Sequence, residues 1–444
     1  MADEAELDGS FAAQTERRRV KRFHVSGFSR SNDTATWHVD SPANERYDVE
    51  LLIDSSSCDA VPTVELRTPC QLLHARLTSA FGSKPCKGFD RVKLGTIRLR
   101  AGENHLAISV RDAEAAVSLY SVELIPSREA RTIATRVEAT RSDTGWMRDA
   151  RYGLQFHWTS QSAPRRGPRL GYQQAVERFD VASFRDIVGE SGAGYVILTT
   201  SHAEHYFPAP IEAIDSVLPD RTSDRDLVSE IADELDGIGV RLMLYYHVGH
   251  DHWQDPNGWW TATGWNDAER FFSNWRAIIG EVGDRYRERL AGWFFDDGMV
   301  YYAVNADFHN LIIAAKAGNP ARVICYNPWI YPRFTDFQDF FCGEGYRFLT
   351  ELDYVPTDRS GVFRHGPQEG LQAHTNFILE SDWCHHHENS EIPPPRYPRE
   401  EFLKAVERAI ETGIVPSVNL EIYQDVGVSD ESLDYLRALD TRIG

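Results

Sequence analysis

Short apolar segments with strand character recur eight times between residues 152 and 420, and amphipathic stretches separate several of them. The segments are Tyr152–Phe156, Tyr195–Thr199, Arg241–Tyr246, Ala291–Phe295, Val323–Tyr326, Asp339–Cys342, Thr375–Leu379 and Val415–Leu420. Strands that alternate with helices form parallel sheets, and eight such units in about 300 residues fit a closed (β/α)8 barrel. An open doubly wound sheet is the alternative, but no glycine-rich phosphate loop supports it.

Two of the intervening stretches carry clear helix signals. Asp224–Leu235 follows Ser223 and begins with acidic residues, which suit the N-cap and the positive end of the helix dipole. Arg399–Thr412 repeats apolar residues at helical spacing. Both stretches support the strand–helix alternation.

Residues 20–127 show a different pattern, in which apolar and polar residues alternate between turns rich in Gly, Asn, Asp and Pro. A period of two residues is typical of strands with one buried face. We therefore predict a β-sandwich of jelly-roll type ahead of the barrel. Residues 1–19 are assigned to a flexible N-terminus, residues 128–145 to a linker and residues 146–444 to the barrel.

The net charge of the chain argues against nucleic acids and anionic membranes as binding partners. The chain has 444 residues, a formal net charge of −20 and a pI near 5.2. Nucleic acids and anionic membrane surfaces would repel it, so neither is expected as a partner. No secretory signal or paired metal-ligand cysteines are visible, which favours a cytoplasmic protein with reduced thiols and no cofactor. A homo-oligomer is compatible with the sequence.

The predicted barrel strands end in polar, ionisable or aromatic residues, and these ends meet at the catalytic rim of such a barrel. Aromatic faces pack on sugar rings, while carboxylate, amide and imidazole groups bond hydroxyls, so this mixture suits a polyol ligand. The candidate substrate-binding residues are His157, Trp158, His202, His205, Tyr246, His247, Trp329, Glu380, Asp382, Trp383, Asn419 and Glu421.

Two adjacent carboxylates, Asp296 and Asp297, follow the fourth barrel strand. Since neighbouring strand residues point in opposite directions, one should face the barrel mouth and the other should brace the structure. Glycoside hydrolysis needs two carboxyl groups, so this pair is a catalytic candidate. The histidines after the second and third strands leave a metal-dependent hydrolase or isomerase as an alternative.

Several segments also match, in order, the motifs of one enzyme family. They are Arg151-Tyr-Gly-Leu-Gln-Phe-His-Trp158, Gly192-Ala-Gly-Tyr-Val-Ile-Leu-Thr-Thr-Ser-His-Ala-Glu-His-Tyr206, Tyr245-Tyr-His247, Phe294-Phe-Asp-Asp-Gly298, Asp339-Phe-Phe-Cys-Gly-Glu344 and Val418-Asn-Leu420. Through these motifs, residues 144 to about 437 resemble the retaining α-L-fucosidase family of glycoside hydrolases.

The resemblance implies an exo-acting hydrolase that removes a terminal α-L-fucosyl or related sugar by a metal-free double displacement. It assigns the nucleophile to Asp296, or to Asp297 if the motif is shifted by one residue, and the acid/base to Glu344. The second strand departs from the family pattern at Ser201, Ala203 and His205. This departure suits an altered sugar preference, or a barrel that binds sugar without turnover. The N-terminal domain resembles a carbohydrate-binding module, with Trp37 or Tyr47 as contacts, although a packing role explains both residues equally well.

Overall fold

The computed structural model describes most of the chain. The described residues are 5–8, 12–18, 20–28, 33–54, 62–77, 89–111, 117–202, 204–247, 258–264, 267–296, 306–327, 333, 335–343, 356, 358–364 and 368–444. None of the helices within these ranges is long and apolar enough to cross a membrane.

The N-terminal domain consists of ten antiparallel strands in two five-stranded sheets. The strands are β1 (Glu6–Asp8), β2 (Ala12–Arg18), β3 (Val20–Phe28), β4 (Thr34–Ser41), β5 (Glu45–Asp54), β6 (Thr63–Arg67), β7 (Leu72–Arg76), β8 (Phe89–Leu99), β9 (Gly102–Arg111) and β10 (Val117–Pro126). The first sheet has the order β1-β4-β9-β6-β7 and the second has the order β2-β3-β10-β5-β8. From β3 to β10 the chain changes sheet at every step except between β6 and β7, as in a jelly roll, which confirms the predicted sandwich.

The apolar residues predicted from strand alternation fill the space between the two sheets. Leu51 and Ile53 from β5 meet Leu106 and Ile108 from β9 in one buried cluster. Trp37 and Tyr47 belong to the same cluster, each only 7% exposed. Both side chains therefore pack the sandwich, and neither presents a ring for a sugar to stack on.

Two segments differ from the boundaries assigned from the sequence. Strands β1 and β2 lie within residues 1–19, where a flexible terminus was expected. Helix α1 (Ser127–Thr140) occupies most of the expected linker. The helix is mostly polar, but its residues Ile133 and Val137 are one helical turn apart and pack against the barrel core. A helical face with so few apolar residues gives only a weak signal in the sequence.

Eight parallel strands form the C-terminal barrel, as predicted. They are β11 (Gly153–Phe156), β12 (Tyr195–Ser201), β13 (Arg241–His247), β14 (Leu290–Asp296), β15 (Val323–Tyr326), β16 (Phe340–Gly343), β17 (Gln372–Ile378) and β18 (Val415–Leu420). The sheet order is β15-β14-β13-β12-β11-β18-β17-β16, so β15 and β16 are left at its two edges. All eight strands overlap the segments read from the sequence.

Side chains help to close the seam between β15 and β16. The Asp339 amide donates to the Ile324 carbonyl at 2.8 Å, and the Ile324 amide donates to the Asp339 carboxylate at 2.9 Å. The Gln338 side-chain carbonyl accepts from the Tyr326 amide at 3.2 Å. Lys316 lies 3.1 Å from the Asp339 carboxylate and balances its buried charge. These contacts complete the barrel where regular strand pairing stops.

Helices surround the barrel, and their apolar faces cover its outer surface. After α1 come α2 (Gly145–Asp149), α3 (Tyr172–Arg178), α4 (Val181–Ser191), α5 (Glu212–Val217), α6 (Leu227–Asp236), α7 (Trp259–Thr263), α8 (Ala268–Tyr286), α9 (Phe308–Ala315), α10 (Arg399–Glu411) and α11 (Asp430–Ile443). A smaller cluster fills the barrel interior, where Tyr245 and Phe294 pack with Cys325 and Cys342. Alternate residues of each strand thus belong to two separate cores.

Candidate active site

Asp296 ends strand β14, and its carboxylate is held from both sides. The Tyr245 hydroxyl donates to Oδ2 at 2.5 Å, and the Asn327 side-chain amide donates to Oδ1 at 2.7 Å. Tyr245 lies on β13, and Asn327 directly follows β15, so the donors come from the two neighbouring strands. Asp296 remains partly exposed. The carboxylate therefore combines a fixed orientation with access to solvent.

Strand periodicity decides which tyrosine of β13 reaches this carboxylate. Tyr245 belongs to the interior cluster, whereas Tyr246 is 2% exposed and packs toward the helices, near the Trp293 ring. Tyr246, predicted to bind substrate, thus faces the helix layer, and Tyr245, which is equally buried, is the tyrosine that contacts Asp296. The sequence held a usable signal, because Tyr245 lies two residues before the candidate His247 and so shares its side of the strand.

His157, Asn419 and Trp383 form a second group beside Tyr245. His157 Nδ1 lies 3.0 Å from the Asn419 side-chain oxygen, and the Asn419 amide donates to the Trp383 carbonyl at 3.1 Å. Since the Asn419 oxygen accepts, Nδ1 of His157 is the nitrogen that carries a proton. The His157 ring lies 4.8 Å from the Tyr245 ring and 5.2 Å from the partly exposed Trp383 ring. A sugar could therefore find an aromatic face and imidazole in one place.

Three further histidines extend this group across β12 and β13. The His202 ring lies 5.8 Å from that of His157 and 4.8 Å from that of His247. His205 is 1% exposed and stacks on Trp259 at 4.6 Å, with its backbone in the left-handed region at a φ of 58°. His202 is the more exposed of these side chains. The structure thus brings His157, His202 and His247 together and places His205 behind them.

Trp158 and Glu380, predicted to bind substrate, serve the packing of the barrel instead. Trp158 is 2% exposed, packs on Phe179 and donates from Nε1 to the Gln424 carbonyl at 3.1 Å. Glu380 is fully buried and accepts from the Ser432 hydroxyl at 2.5 Å, in the first turn of α11. Burial raises the pKa of Glu380 to about 7. Both residues lie in the helix layer because a strand end presents alternate residues to that layer as well as to the mouth.

Glu421 and Asp382 organise the loop that carries Trp383. The buried Glu421 carboxylate accepts from the Asp382 amide at 3.0 Å and lies 3.3 Å from His385 Nδ1. Asp382 is exposed, and its carboxylate accepts from the Trp383 amide at 2.7 Å. These bonds hold the loop in one conformation beside His157. Glu421 therefore positions the loop, whereas Asp382 remains open to solvent.

Three candidates, Asp297, Trp329 and Glu344, lie outside the described residues. Cys342, which precedes Glu344 by two residues, belongs to the interior cluster. The assignment of Glu344 as acid/base stays a prediction from the sequence, as does the choice between Asp296 and Asp297.

The described histidines at the mouth do not assemble a compact metal-ligand group. Within the described ranges, three His, Cys, Asp or Glu side chains bring ligand atoms within 4.8 Å of one another only at His38, Glu103 and His105, in the N-terminal domain. His250 and His252, part of the metal-dependent interpretation, lie outside those ranges. That interpretation therefore gains no support from the geometry of the described mouth residues.

Residues 169–354, which span much of the barrel, match the sequence model of the alpha-L-fucosidase family. No curated protein matches the sequence. Among solved structures, endo-fucoidan hydrolase MfFcnA4 from glycoside hydrolase family 107 is similar, with a TM-score of 0.53 and 15% identity. The alignment covers 70% of this chain and 54% of that one, so this chain spans about half the length of that enzyme.

Two alpha-L-fucosidases show a weaker likeness. The GH29 enzyme from Bacteroides thetaiotaomicron has a TM-score of 0.49 and 16% identity, over 68% of this chain and 74% of that one. AlfC from Lactobacillus casei, solved with its alpha-L-fucose product, has a TM-score of 0.47 and 16% identity, over 67% of this chain and 97% of that one.

At 15% identity the likeness to MfFcnA4 shows a shared fold and nothing finer. The family match covers four of the six segments that carry the resemblance, from the second barrel strand through Glu344. Residues 169–354 of the barrel therefore match the alpha-L-fucosidase family of glycoside hydrolases, as the resemblance of the motifs indicated.

Proposed function

We propose that the chain cleaves a terminal α-L-fucosyl or closely related sugar with retention of configuration. The observation that carries the proposal is the Asp296 carboxylate, held at a strand end by Tyr245 and Asn327. Asp296 attacks the anomeric carbon and forms a glycosyl-enzyme ester. Glu344 protonates the departing oxygen and then removes a proton from the water that hydrolyses the ester.

The two donors to Asp296 restrict rotation of its carboxylate before substrate arrives. Because the carboxylate is already oriented when the protein folds, less entropy is lost when it attacks the substrate. They also withdraw negative charge from the nucleophile, so the same contacts stabilise it as a leaving group in the second step. Tyr245 and Asn327 are thus proposed as positioning residues for both halves of the reaction.

Around the nucleophile, the aromatic and imidazole groups supply the sugar site. The Trp383 ring offers an apolar face, and His157 and His202 offer nitrogens to the hydroxyls. His157 presents Nε2 to the site, since Nδ1 is engaged by Asn419. His205, one of the positions at which the second-strand motif departs from the family pattern, is proposed among the residues that set the sugar preference.

The test is turnover of a panel of aryl α- and β-glycosides, including α-L-fucoside, by wild type, Asp296→Gly and Asp297→Asn. We expect hydrolysis of one α-L-sugar by wild type, insensitive to chelator, and a loss of at least about 10³-fold in Asp296→Gly. Azide should restore turnover in that variant and yield the β-glycosyl azide, because it attacks the face that the missing carboxylate occupied. Asp297→Asn is the adjacent control.

Other outcomes point elsewhere. Loss of turnover with azide rescue in Asp297→Gly alone would move the nucleophile to Asp297. Loss with chelator would favour the metal-dependent interpretation. Sugar binding without any turnover would indicate a degenerate barrel. Shortening of an internal fucan chain, without release of monosaccharide, would indicate endo action, the activity named for the MfFcnA4 enzyme.

A further inference from the structure

Histidines and carboxylates gather on the exposed face of the first sheet of the N-terminal domain. His38 of β4 lies directly opposite His105 of β9 in the antiparallel register, and Asp40 lies opposite Glu103. Glu6, on the edge strand β1, reaches the same face from the other side of β4. The buried side of these strands packs the sandwich core, so these five side chains project to solvent. Three adjacent strands thus contribute to one cluster.

The geometry of the cluster is compact. His38 Nδ1 lies 2.8 Å from the Glu103 carboxylate, and His38 Nε2 lies 3.4 Å from that of Glu6. The rings of His38 and His105 are 4.4 Å apart and nearly perpendicular. One ligand atom from each of His38, Glu103 and His105 lies within 4.8 Å of the other two. A small shift of side chains would bring these atoms onto one ion.

The carboxylates of the cluster carry negative charges that a bound cation would offset. Asp40 and Glu103 are carboxylates directly opposite each other on neighbouring strands, an arrangement that destabilises a sheet when no cation offsets it. Within the described chain, neither forms an ion pair with Lys or Arg, and the same holds for Glu6. Among the described residues, His38 is the side chain that pairs with both Glu6 and Glu103, and it carries a positive charge only when its ring is protonated. A divalent ion would offset this repulsion.

We propose that this cluster binds a zinc-type divalent cation, with His38, His105 and Glu103 as ligands and Glu6 accepting from the second nitrogen of His38. Two imidazoles and one carboxylate, with water in the fourth position, are a donor set that Zn²⁺ accepts in tetrahedral geometry. The ion would also have a structural effect. Strand β1 has three residues and, within the described sheet, pairs with β4 alone, so an ion that fixes the His38 ring also fixes its contact with Glu6 on this edge strand.

The experiment is a titration of the tag-free, metal-stripped full chain with Zn²⁺ by calorimetry, and with Co²⁺ by visible absorption. We expect one tight site and a tetrahedral Co²⁺ spectrum. His38→Gln and His105→Gln should each weaken binding by at least about 100-fold, and Glu6→Gln by less. His74→Gln, an exposed histidine on β7 of the same sheet, is the matched control and should bind as wild type.

Hydrogen exchange gives a second readout that does not depend on affinity. Zn²⁺ should slow exchange of the β1 amides in wild type and leave them unchanged in His105→Gln. The proposal is overturned if no stoichiometric Zn²⁺ binding occurs, or if His38→Gln and His105→Gln bind as wild type. It is also overturned if binding disappears only in a His386→Gln/His387→Gln variant, which removes one partly exposed and one exposed histidine after β17.

Discussion

Glu380 permits a quantitative test because its surroundings determine both the sign and the size of a pH effect. Its carboxylate is fully buried, accepts from the Ser432 hydroxyl at 2.5 Å and accepts from the Glu421 amide at 3.0 Å. Burial raises its pKa from 4.5 to about 7. Between these values the folded protein holds a proton that the unfolded chain releases. The contribution of Glu380 to stability therefore falls as pH rises through this window and levels off above it.

The magnitude follows from the width of the window. A difference of 2.5 pKa units, from 4.5 to about 7, corresponds to about 3 kcal/mol in full, of which about 2.5 kcal/mol lies between pH 5 and pH 8. Glu380→Gln replaces the titrating carboxyl group with a neutral amide of nearly the same size and shape. Its oxygen can accept from the Glu421 amide, and its nitrogen can donate to the Ser432 hydroxyl.

We therefore expect Glu380→Gln to gain about 2.5 kcal/mol relative to wild type when the pH is changed from 5 to 8. The assay is urea unfolding followed by tryptophan fluorescence at both pH values. Glu401→Gln, an exposed glutamate on α10, is the matched control and should follow wild type. A Glu380→Gln difference from wild type that is equal at both pH values would refute the reasoning, because it would mean that Glu380 does not titrate in this window.

Three other predictions concern the site and the barrel. Tyr245→Phe removes a charge-assisted hydrogen bond to Asp296 worth about 1.5–3 kcal/mol, so kcat/KM should fall about 10- to 100-fold with the fold unchanged; unaltered kinetics would contradict the positioning role. Burial lowers the pKa of His374 to about 3, so the contribution of His374 to stability should fall below pH 6.5 with a slope approaching about 1.4 kcal/mol per unit, opposite in sign to the contribution of Glu380. That slope should be absent from His374→Gln in urea unfolding between pH 6.5 and 5, and an unchanged slope would contradict the assignment. Lys316→Met leaves the Asp339 carboxylate buried without its ammonium partner and should cost about 3–5 kcal/mol in the same assay, where a loss below about 1 kcal/mol would count against the proposed role at the seam.

Much of the fold could be predicted because its signals are local. Each of the eight barrel strands is a short apolar run, and the structure confirms all of them within a few residues. The sandwich follows in the same way from alternation with a period of two. Helix α1 was missed because its face toward the barrel offers only Ile133 and Val137 in an otherwise polar segment.

The candidate site was predicted less well, since the side chains of neighbouring residues at a strand end point to opposite sides of the barrel wall. Tyr246 and Trp158 belong to the helix-facing core, whereas Tyr245 and His157 face inward. Glu380 accepts a hydrogen bond from Ser432 in the first turn of α11 and does not point into the mouth of the barrel. A strict count of strand parity from Asp296 would have selected Tyr245, but the register between β13 and β14 was needed for that count.

By itself, the sequence determined the alternation of strands and helices, the two-domain order and the placement of polar residues at strand ends. These properties depend on residues within a few positions of one another. Only the tertiary structure decided which groups hold the Asp296 carboxylate. Tyr245 and Asn327 are 51 and 31 residues away along the chain. They meet Asp296 because barrel closure aligns β13, β14 and β15, and no local pattern encodes the register between strands that far apart.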